Sequence, residues 1–383
     1  MTDEISLEQF LKINPRNAVT IKEDALREMK IILRKKYKTY EDMSKALGCS
    51  RRFVCMVLDK VRVPNAKLAL EMCRETKLDI KWTIDKITPR CKYSYSYIKP
   101  SAFPIKLDEN MAALIGHAFS DGHVKRVFSY SNTERKLVNK VIMLVQKLPI
   151  NNLTMNSWVH NAKIIRFSSL VKDILAYAGA PIGNKIITET EIPRWIKKGN
   201  KKKKTSFIQA IFDDEGHVGK KDRAVSMCFS KNISLRRNLE EVLCDIRVLL
   251  EGFGIKRSTI REGQYYEGKN GKTMNLKLTF YGYQNLKTFQ RSIGFTHPKK
   301  QKRLDKWVKN IQVIKLNAEE RLFNFFEVLE NHPLITAKEL AKRVKMDHKA
   351  VLGFLNKMRI KGYVGNINKY SKQWILNSQA VNL

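Results

Sequence analysis

Two stretches of this chain end in the same pattern, an acid followed by Gly-His-Val, at Asp121–Val124 and again at Glu215–Val218. Each closes an apolar run with helical period: residues 114–124 (LIGHAFSDGHV) align with 208–218 (IQAIFDDEGHV), and the acids stand 215 − 121 = 94 residues apart. A strand-like stretch follows each run, at 128–132 and 224–232, then a helix rich in Leu, Val and Ile. Farther on, residues 179–185 (GAPIGNK) answer 294–300 (GFTHPKK). Each half therefore reads helix, hairpin, further strand, helix and a late lysine, and a duplicated unit is the fold that satisfies it. An acid-Gly after one apolar helix is an ordinary turn; two copies with the same downstream plan are not.

Helix electrostatics say what the acids are for. A carboxylate at a helix C-terminus faces the negative pole of the macrodipole, at a cost of about 0.3–1 kcal/mol. Placed there twice, Asp121 and Glu215 call for a cation, and with the carbonyls of Gly122 and Gly216 they form the hard oxygen set that suits Mg²⁺ or a related ion such as Mn²⁺. Both glycines are expected in the left-handed conformation that ends a helix. Gly116, Ser120 and Ala210 are small enough to let the two helices approach. Two carboxylates sharing divalent cations suit phosphodiester hydrolysis, and Lys185 and Lys300 are expected to add positive charge near the transition state.

The charge balance points to the same substrate. Lysine and arginine number 73 against 37 acidic residues, a formal charge of +36, which implies a polyanionic partner. Double-stranded DNA is the expected one; RNA would meet the same charge, although no RNA-recognition signature is evident. No apolar run approaches the roughly 18–20 residues of a membrane span, and no signal-peptide pattern is present, so a cytoplasmic, nucleoid-associated protein without a membrane partner is expected. The six cysteines lack a CxxC pair and read as reduced thiols.

The rest of the chain divides around the repeat. Residues 1–87 carry helical periodicity and are expected to form an all-α helix-turn-helix domain, in which Gly48 ends one helix, Ser50 caps the next, and Arg51 and Arg52 open the helix that enters a major groove. A plain helical bundle with a basic face is the bland alternative. Residues 88–107, with Pro and Tyr, read as a linker. The repeats occupy 108–195 and 205–306, joined by a lysine-rich linker at 196–204 in which Lys201, Lys202, Lys203 and Lys204 are expected to meet phosphate, a solvated run being the alternative. Residues 317–383 read as three helices and a hairpin, a winged helix with His348 and Lys349 opening its recognition helix and Asn366–Lys369 at the wing tip.

At the paired motifs the chain resembles the LAGLIDADG (dodecapeptide, DOD-type) homing endonucleases in their monomeric, two-repeat form. That resemblance implies an α+β core of duplicated αββαββα units related by a pseudo-twofold, an internal pseudo-dimer, with Asp121 and Glu215 as metal-binding catalytic acids. Lys185 and Lys300, with Lys299 as a competing alignment, look like the family's late basic residues. Phe119 stands where the motif has its first aspartate, His117 replaces an apolar residue, and Asp214 a small one. The first two are expected to alter packing only; Asp214 either joins the metal shell or loosens the helix interface. Family nuclease domains also occur in inteins, but a start at Met1 and an end without His-Asn set the expectation of a free-standing enzyme. The alternative function is a DNA-binding transcriptional regulator on the same scaffold without cleavage.

Overall fold

The sequence repeat becomes a repeat of topology. In this computed structural model the described residues are 3–78, 82, 84–91, 94–159, 163–219, 224–332, 334–344, 346–366 and 373–377. They fall into two compact units, Met1–Asp305 and Lys306–Leu383.

The first unit opens with β1 (Glu4–Ile5), α1 (Leu7–Ile13), β2 (Ala18–Ile21), α2 (Glu23–Lys36), α3 (Tyr40–Ala46), α4 (Arg51–Leu58) and α5 (Ala66–Thr76). Strands β3 (Ile87–Arg90) and β4 (Ile105–Lys106) then pair with β2 and β1. The expectations of an all-α N-terminal domain and of a free linker over 88–107 are both corrected: Val19, Ile21 and Ile87 are buried in the same core as Met29, Leu33, Val54 and Met72. Burying those alternating apolar residues requires strand pairing, because their backbone groups leave water with them. Lys92 and Tyr93 of this stretch lie outside the described residues. Gly48 ends the turn after α3 with a φ of 60°, and the Ser50 side chain accepts from Phe53 N to start α4.

The first repeat runs α6 (Glu109–Phe119), β5 (Gly122–Val124), β6 (Phe128–Asn132), α7 (Arg135–Gln146), β7 (Met155–Val159), β8 (Lys163–Phe167) and α8 (Ser169–Tyr177). After a short α9 (Arg194–Lys197), the second runs α10 (Lys201–Glu215), β9 (Gly216–Val218), β10 (Ala224–Asn232), α11 (Arg236–Glu251), β11 (Thr259–Gly268), β12 (Gly271–Tyr281) and α12 (Tyr283–Ser292). Each is αββαββα. Both four-stranded antiparallel sheets have equivalent strand order, β5-β6-β8-β7 and β9-β10-β12-β11.

Side-chain caps define where the motif helices begin. Asp108 accepts from Asn110 N and Met111 N at the start of α6, and Asn200 accepts from Lys203 N at the start of α10. Residues 201–204 are therefore the first turn of a 15-residue helix rather than a linker. Every residue of α6 from Met111 to Phe119 is buried. A Cβ placed on Gly116 would lie 2.6 Å from the Phe207 carbonyl oxygen and 2.7 Å from Ala210 Cβ, so α6 and α10 touch backbone to backbone there. Only glycine fits. The second face of each motif helix lies on its own sheet, as where Phe212 meets Phe280 and Phe289.

Helix α13 (Pro298–Asn331) is followed by β13 (Ile335–Thr336), α14 (Ala337–Arg343), α15 (His348–Ile360), β14 (Val364–Asn366) and β15 (Gln373–Leu376). Within the second unit the strands order as β13-β15-β14, one more strand than the expected hairpin, around Phe325, Leu329, Leu340, Val351, Leu355 and Trp374. Of the expected wing tip, Asn366 ends β14 and residues 367–369 lie outside the described residues. Among the described residues no helix is long and apolar enough to cross a membrane.

Candidate active site

Contact between α6 and α10 brings their C-terminal ends together, and with them the two acids. Asp121 lies one residue past the Ser120 cap of α6, while Glu215 is the last residue of α10. Burial, then repulsion from Asp214, pushes Asp121 up to about 6, against the hydrogen bond from Asn132 and the charges of Lys185 and Lys300. Burial, then repulsion from Asp121, pushes Glu215 up to about 7. Each acid is thus confined in low dielectric beside other carboxylates.

The late lysines explain how the helix ends tolerate this. Lys185 Nζ donates to the carbonyls of Ala118 and Phe119 at 3.2 Å, to that of Ser120, and to that of Gly122 at 2.8 Å. Lys300 Nζ donates to Phe212, Asp213 and Asp214 at 3.2, 2.6 and 3.0 Å. Carbonyls 212, 213 and 214 are 118, 119 and 120 advanced by the same 94 residues that separate the acids, so the two lysines are counterparts. This settles Lys300 over Lys299. Burial lowers both lysines, and the surrounding acids hold them up.

These contacts correct two expectations. The lysines answer the negative pole of each helix and spend their donors on backbone, so a divalent cation is not needed for that purpose. The Gly122 carbonyl, with an ammonium 2.8 Å away, is a poor metal ligand. Gly216 enters β9 in extended backbone, with φ −72° and ψ 148°, and neither motif glycine has positive φ. Crowding selects glycine instead: an added Cβ would come within 2.6 Å of the His117 carbonyl oxygen at Gly122 and 2.2 Å of the Phe212 carbonyl oxygen at Gly216.

The departures from the motif turn out to be partners. His117 Nδ1 lies 2.9 Å from Asp214 Oδ2, and Tyr130 donates its hydroxyl to Asp214 Oδ1 at 2.7 Å, the His117 and Asp214 side chains being fully buried. Tyr130 and His117 also meet edge to face. Asp214 therefore neither loosens the interface nor stands free for metal, and His117 does more than pack: the pair is a polar bridge between the repeats. Phe119, in place of the first aspartate, packs edge-on against Phe207 of the other motif helix, with centroids 5.7 Å apart. Its counterpart Asp213 accepts from Thr296 N, His297 N and Lys140 Nζ, tying the last segment of repeat two and α7 of repeat one to α10.

Asn132 was not singled out by sequence, yet its amide donates to Asp121 Oδ2 at 2.6 Å from the end of β6. Only the polar cluster closing that strand hinted at it. Strand register places Tyr130 opposite Gly122 and Met227 opposite Gly216, so the counterpart of Asn132 is Phe229. A cavity of about 200 Å³ adjoins Glu215, lined also by Lys185, Cys228, Phe229 and Lys231. Lys231 Nζ donates to the carbonyls of Lys185 and Thr188, and burial brings it down to about 8. Among the described residues no three His, Cys, Asp or Glu side chains group to hold a metal ion. A divalent ion at this place would find two carboxylates and would take its remaining ligands from water or phosphate oxygens, a division Mg²⁺ accepts.

The outlying candidates are dispersed. Arg51 and Arg52 are exposed at the start of α4, and His348 and Lys349 at the start of α15 in the second unit. At 1.5 Å per residue, Lys201 is about 20 Å along α10 from Glu215. Lys201 and Lys202 are exposed and Lys204 is half-buried, whereas Lys203 is buried, 2.9 Å from Asp3, and is corrected as a phosphate contact. His123 and His217 project from the exposed side of β5 and β9.

Comparison with known proteins finds partial matches. Residues 202–294, covering most of the second repeat, match the LAGLIDADG-like domain family. Two tRNA-splicing ligases RtcB are similar in part: that of Methanopyrus kandleri is 31% identical over 128 residues, 32% of this chain and 12% of the ligase, and that of Pyrococcus furiosus 29% over 133 residues, 34% and 13%. The chain thus spans about an eighth of the length of these relatives. Among solved structures, full-length DUF199/WhiA from Thermatoga maritima aligns with TM-score 0.33 and 14% identity, over 65% of this chain and 89% of that one. The N-terminal LAGLIDADG domain of DUF199/WhiA aligns at 0.31 and 16%, over 49% and 82%.

Proposed function

We propose that this chain is a site-specific endonuclease of double-stranded DNA, of the LAGLIDADG homing type, that hydrolyses phosphodiester bonds with a divalent cation, Mg²⁺ or Mn²⁺, held by Asp121 and Glu215. One observation carries the reading. Two largely buried carboxylates from different repeats are each raised by burial and by neighbouring acids, Asp121 by Asp214 and Glu215 by Asp121, while the lysines beside them are committed to backbone carbonyls. A cation is the partner this donor set lacks. Bound there, it would neutralise the scissile phosphate and make a coordinated water more acidic.

The chain's own residues do the rest. Asn132 fixes the direction of Asp121 by donating to one of its oxygens. Lys185 and Lys300 hold the helix ends in register and keep positive charge behind the acids. The β11–β12 hairpin exposes Arg261, Tyr265, Tyr266, Lys272 and Lys277, the mixture of charge and hydrogen-bonding groups that duplex recognition uses. Arg51 and Arg52 on α4 of the first unit, and, each unit taken by itself, His348 and Lys349 on α15 of the second, are the exposed residues through which a helix-turn-helix and a winged-helix module would meet DNA.

A regulator that binds without cutting is the second reading. It is favoured by Phe229, which leaves Glu215 without the amide that Asp121 enjoys. Incubating the protein with Mg²⁺ and duplexes that include its own genomic neighbourhood separates the two. Site-specific double-strand cuts that vanish in Asp121→Asn and Glu215→Gln, with binding retained, establish the nuclease; selective binding without cutting under every divalent metal establishes the regulator.

A further inference from the structure

A second concavity lies where the N-terminal segment meets the first repeat. It is a cavity of about 680 Å³ bounded by the loop after α1, the β5–β6 turn, the end of β8 and the start of α8. Five cationic side chains line it, Arg16, Lys125, Arg126, Arg166 and Lys172, and among the described residues no acidic one does. The adjacent carboxylate of the fully buried Asp173 is engaged by Lys172, by Asn14 Nδ2 at 3.2 Å and by Asn17 Nδ2 at 2.6 Å. Its charge is satisfied inside the wall, and the cavity keeps a positive field.

Ser168 gives the cavity a focus. It lies at the N-cap of the nine-residue α8 and is only 5% exposed, yet its hydroxyl caps nothing and has no hydrogen-bond partner. A buried hydroxyl without a partner is destabilising, and an N-cap serine that declines to cap is unusual. Ser168 is one of the residues lining the cavity, at the positive end of the helix.

We propose that this seam is a phosphate-binding site, separate from the carboxylate pair, in which Ser168 Oγ donates to a phosphate oxygen and Arg16 neutralises its charge. The cavity is large enough for a mononucleotide, and the phosphate comes either from a free nucleotide or from the backbone of bound duplex. Cleavage at Asp121 and Glu215 and anion capture at Ser168 can fail independently, because they share no residue.

The test is titration calorimetry on the full chain at constant ionic strength, with inorganic phosphate replacing chloride. Saturable binding is expected, weakened at least tenfold in Ser168→Ala and in Arg16→Gln and unchanged in Lys256→Gln, which removes one exposed charge elsewhere. Ser168→Ala deletes a group with no partner and Arg16 is exposed, so both variants fold. Repeating the titration with a 5′-mononucleotide, and with phosphate in competition with a short duplex, identifies the source. A mononucleotide that binds tenfold tighter than phosphate, without duplex competition, assigns a free nucleotide; competition by duplex assigns the DNA backbone. Absence of saturable binding, or equal loss in Lys256→Gln, overturns the site.

Discussion

Asp121 and Glu215 end equivalent helices but keep different company. Asp121 is held by the Asn132 amide, within reach of the Tyr130–Asp214–His117 bridge. Glu215 faces a cavity beside Phe229 and Cys228, and among the described residues no side-chain hydrogen bond restrains it. The lysine caps, by contrast, are the same in both halves. Backbone duties are symmetric while the surroundings of the acids differ: a motif helix must end the same way in either copy, whereas nothing in the helix end requires the two acids to share neighbours.

The largest way to break the comparison is to remove an acid. Asp121→Asn and Glu215→Gln should each lower cleavage by roughly 10³-fold, the scale of losing a principal electrostatic contributor, measured by single-turnover cutting of a plasmid site. If one variant loses both strands and the other only one, the halves act in sequence.

His117→Ala should destabilise the fold by about 3 kcal/mol in urea unfolding, because it leaves the buried Asp214 carboxylate with Tyr130 alone. Adding Asp214→Ala should recover part of that loss, since the stranded charge is then gone. Full additivity of the two changes would dissolve the bridge.

The pH response comes next. Both acids bind protons more tightly when folded, at about 6 and about 7, than at their ordinary values of 3.8 and 4.5. The native state therefore holds more protons than the unfolded state between those limits. Metal-free stability is complete below about pH 4 and falls as pH rises to about 7, by roughly 3 kcal/mol for Asp121. Asp121→Asn should flatten that slope and exceed the parent in stability at pH 8; divalent metal should flatten it too. A profile independent of pH would mean that the acids are not crowded.

The smallest effect tests the asymmetry itself. Asn132→Ala should slow cutting of one strand on the order of tenfold, as loss of a ligand's supporting hydrogen bond does. Phe229→Asn, offering Glu215 an amide in the counterpart position, should narrow any difference between strand rates, read as the lifetime of the nicked intermediate.

The repeat, the acids and the late lysines were legible in the chain, because a duplicated unit prints its period and helix ends print their acids and glycines. The work of Lys185 was not: a lysine that contacts carbonyls 65 residues away looks the same as one that awaits a phosphate. His117 and Asp214 read as two separate departures, since nothing local says that residues 97 apart share a hydrogen bond. Lys201–Lys204 read as a linker because four lysines at a helix start oppose the macrodipole, and the Asn200 cap prevailed. Strands β2 and β3 escaped notice because four residues are too few for period two to stand out against helical neighbours.

By itself, then, the sequence determined that this molecule has two like halves, which acids end their central helices, and that its charge is strongly positive. Periodicity and net charge are local sums, and they survive without coordinates. Only the tertiary structure decided that the lysines cap helices, that Asp214 bridges the repeats and that the two acids have unequal neighbours. Those facts depend on which side chains meet across an interface, and that is fixed by close packing at Gly116 rather than by any spacing along the chain.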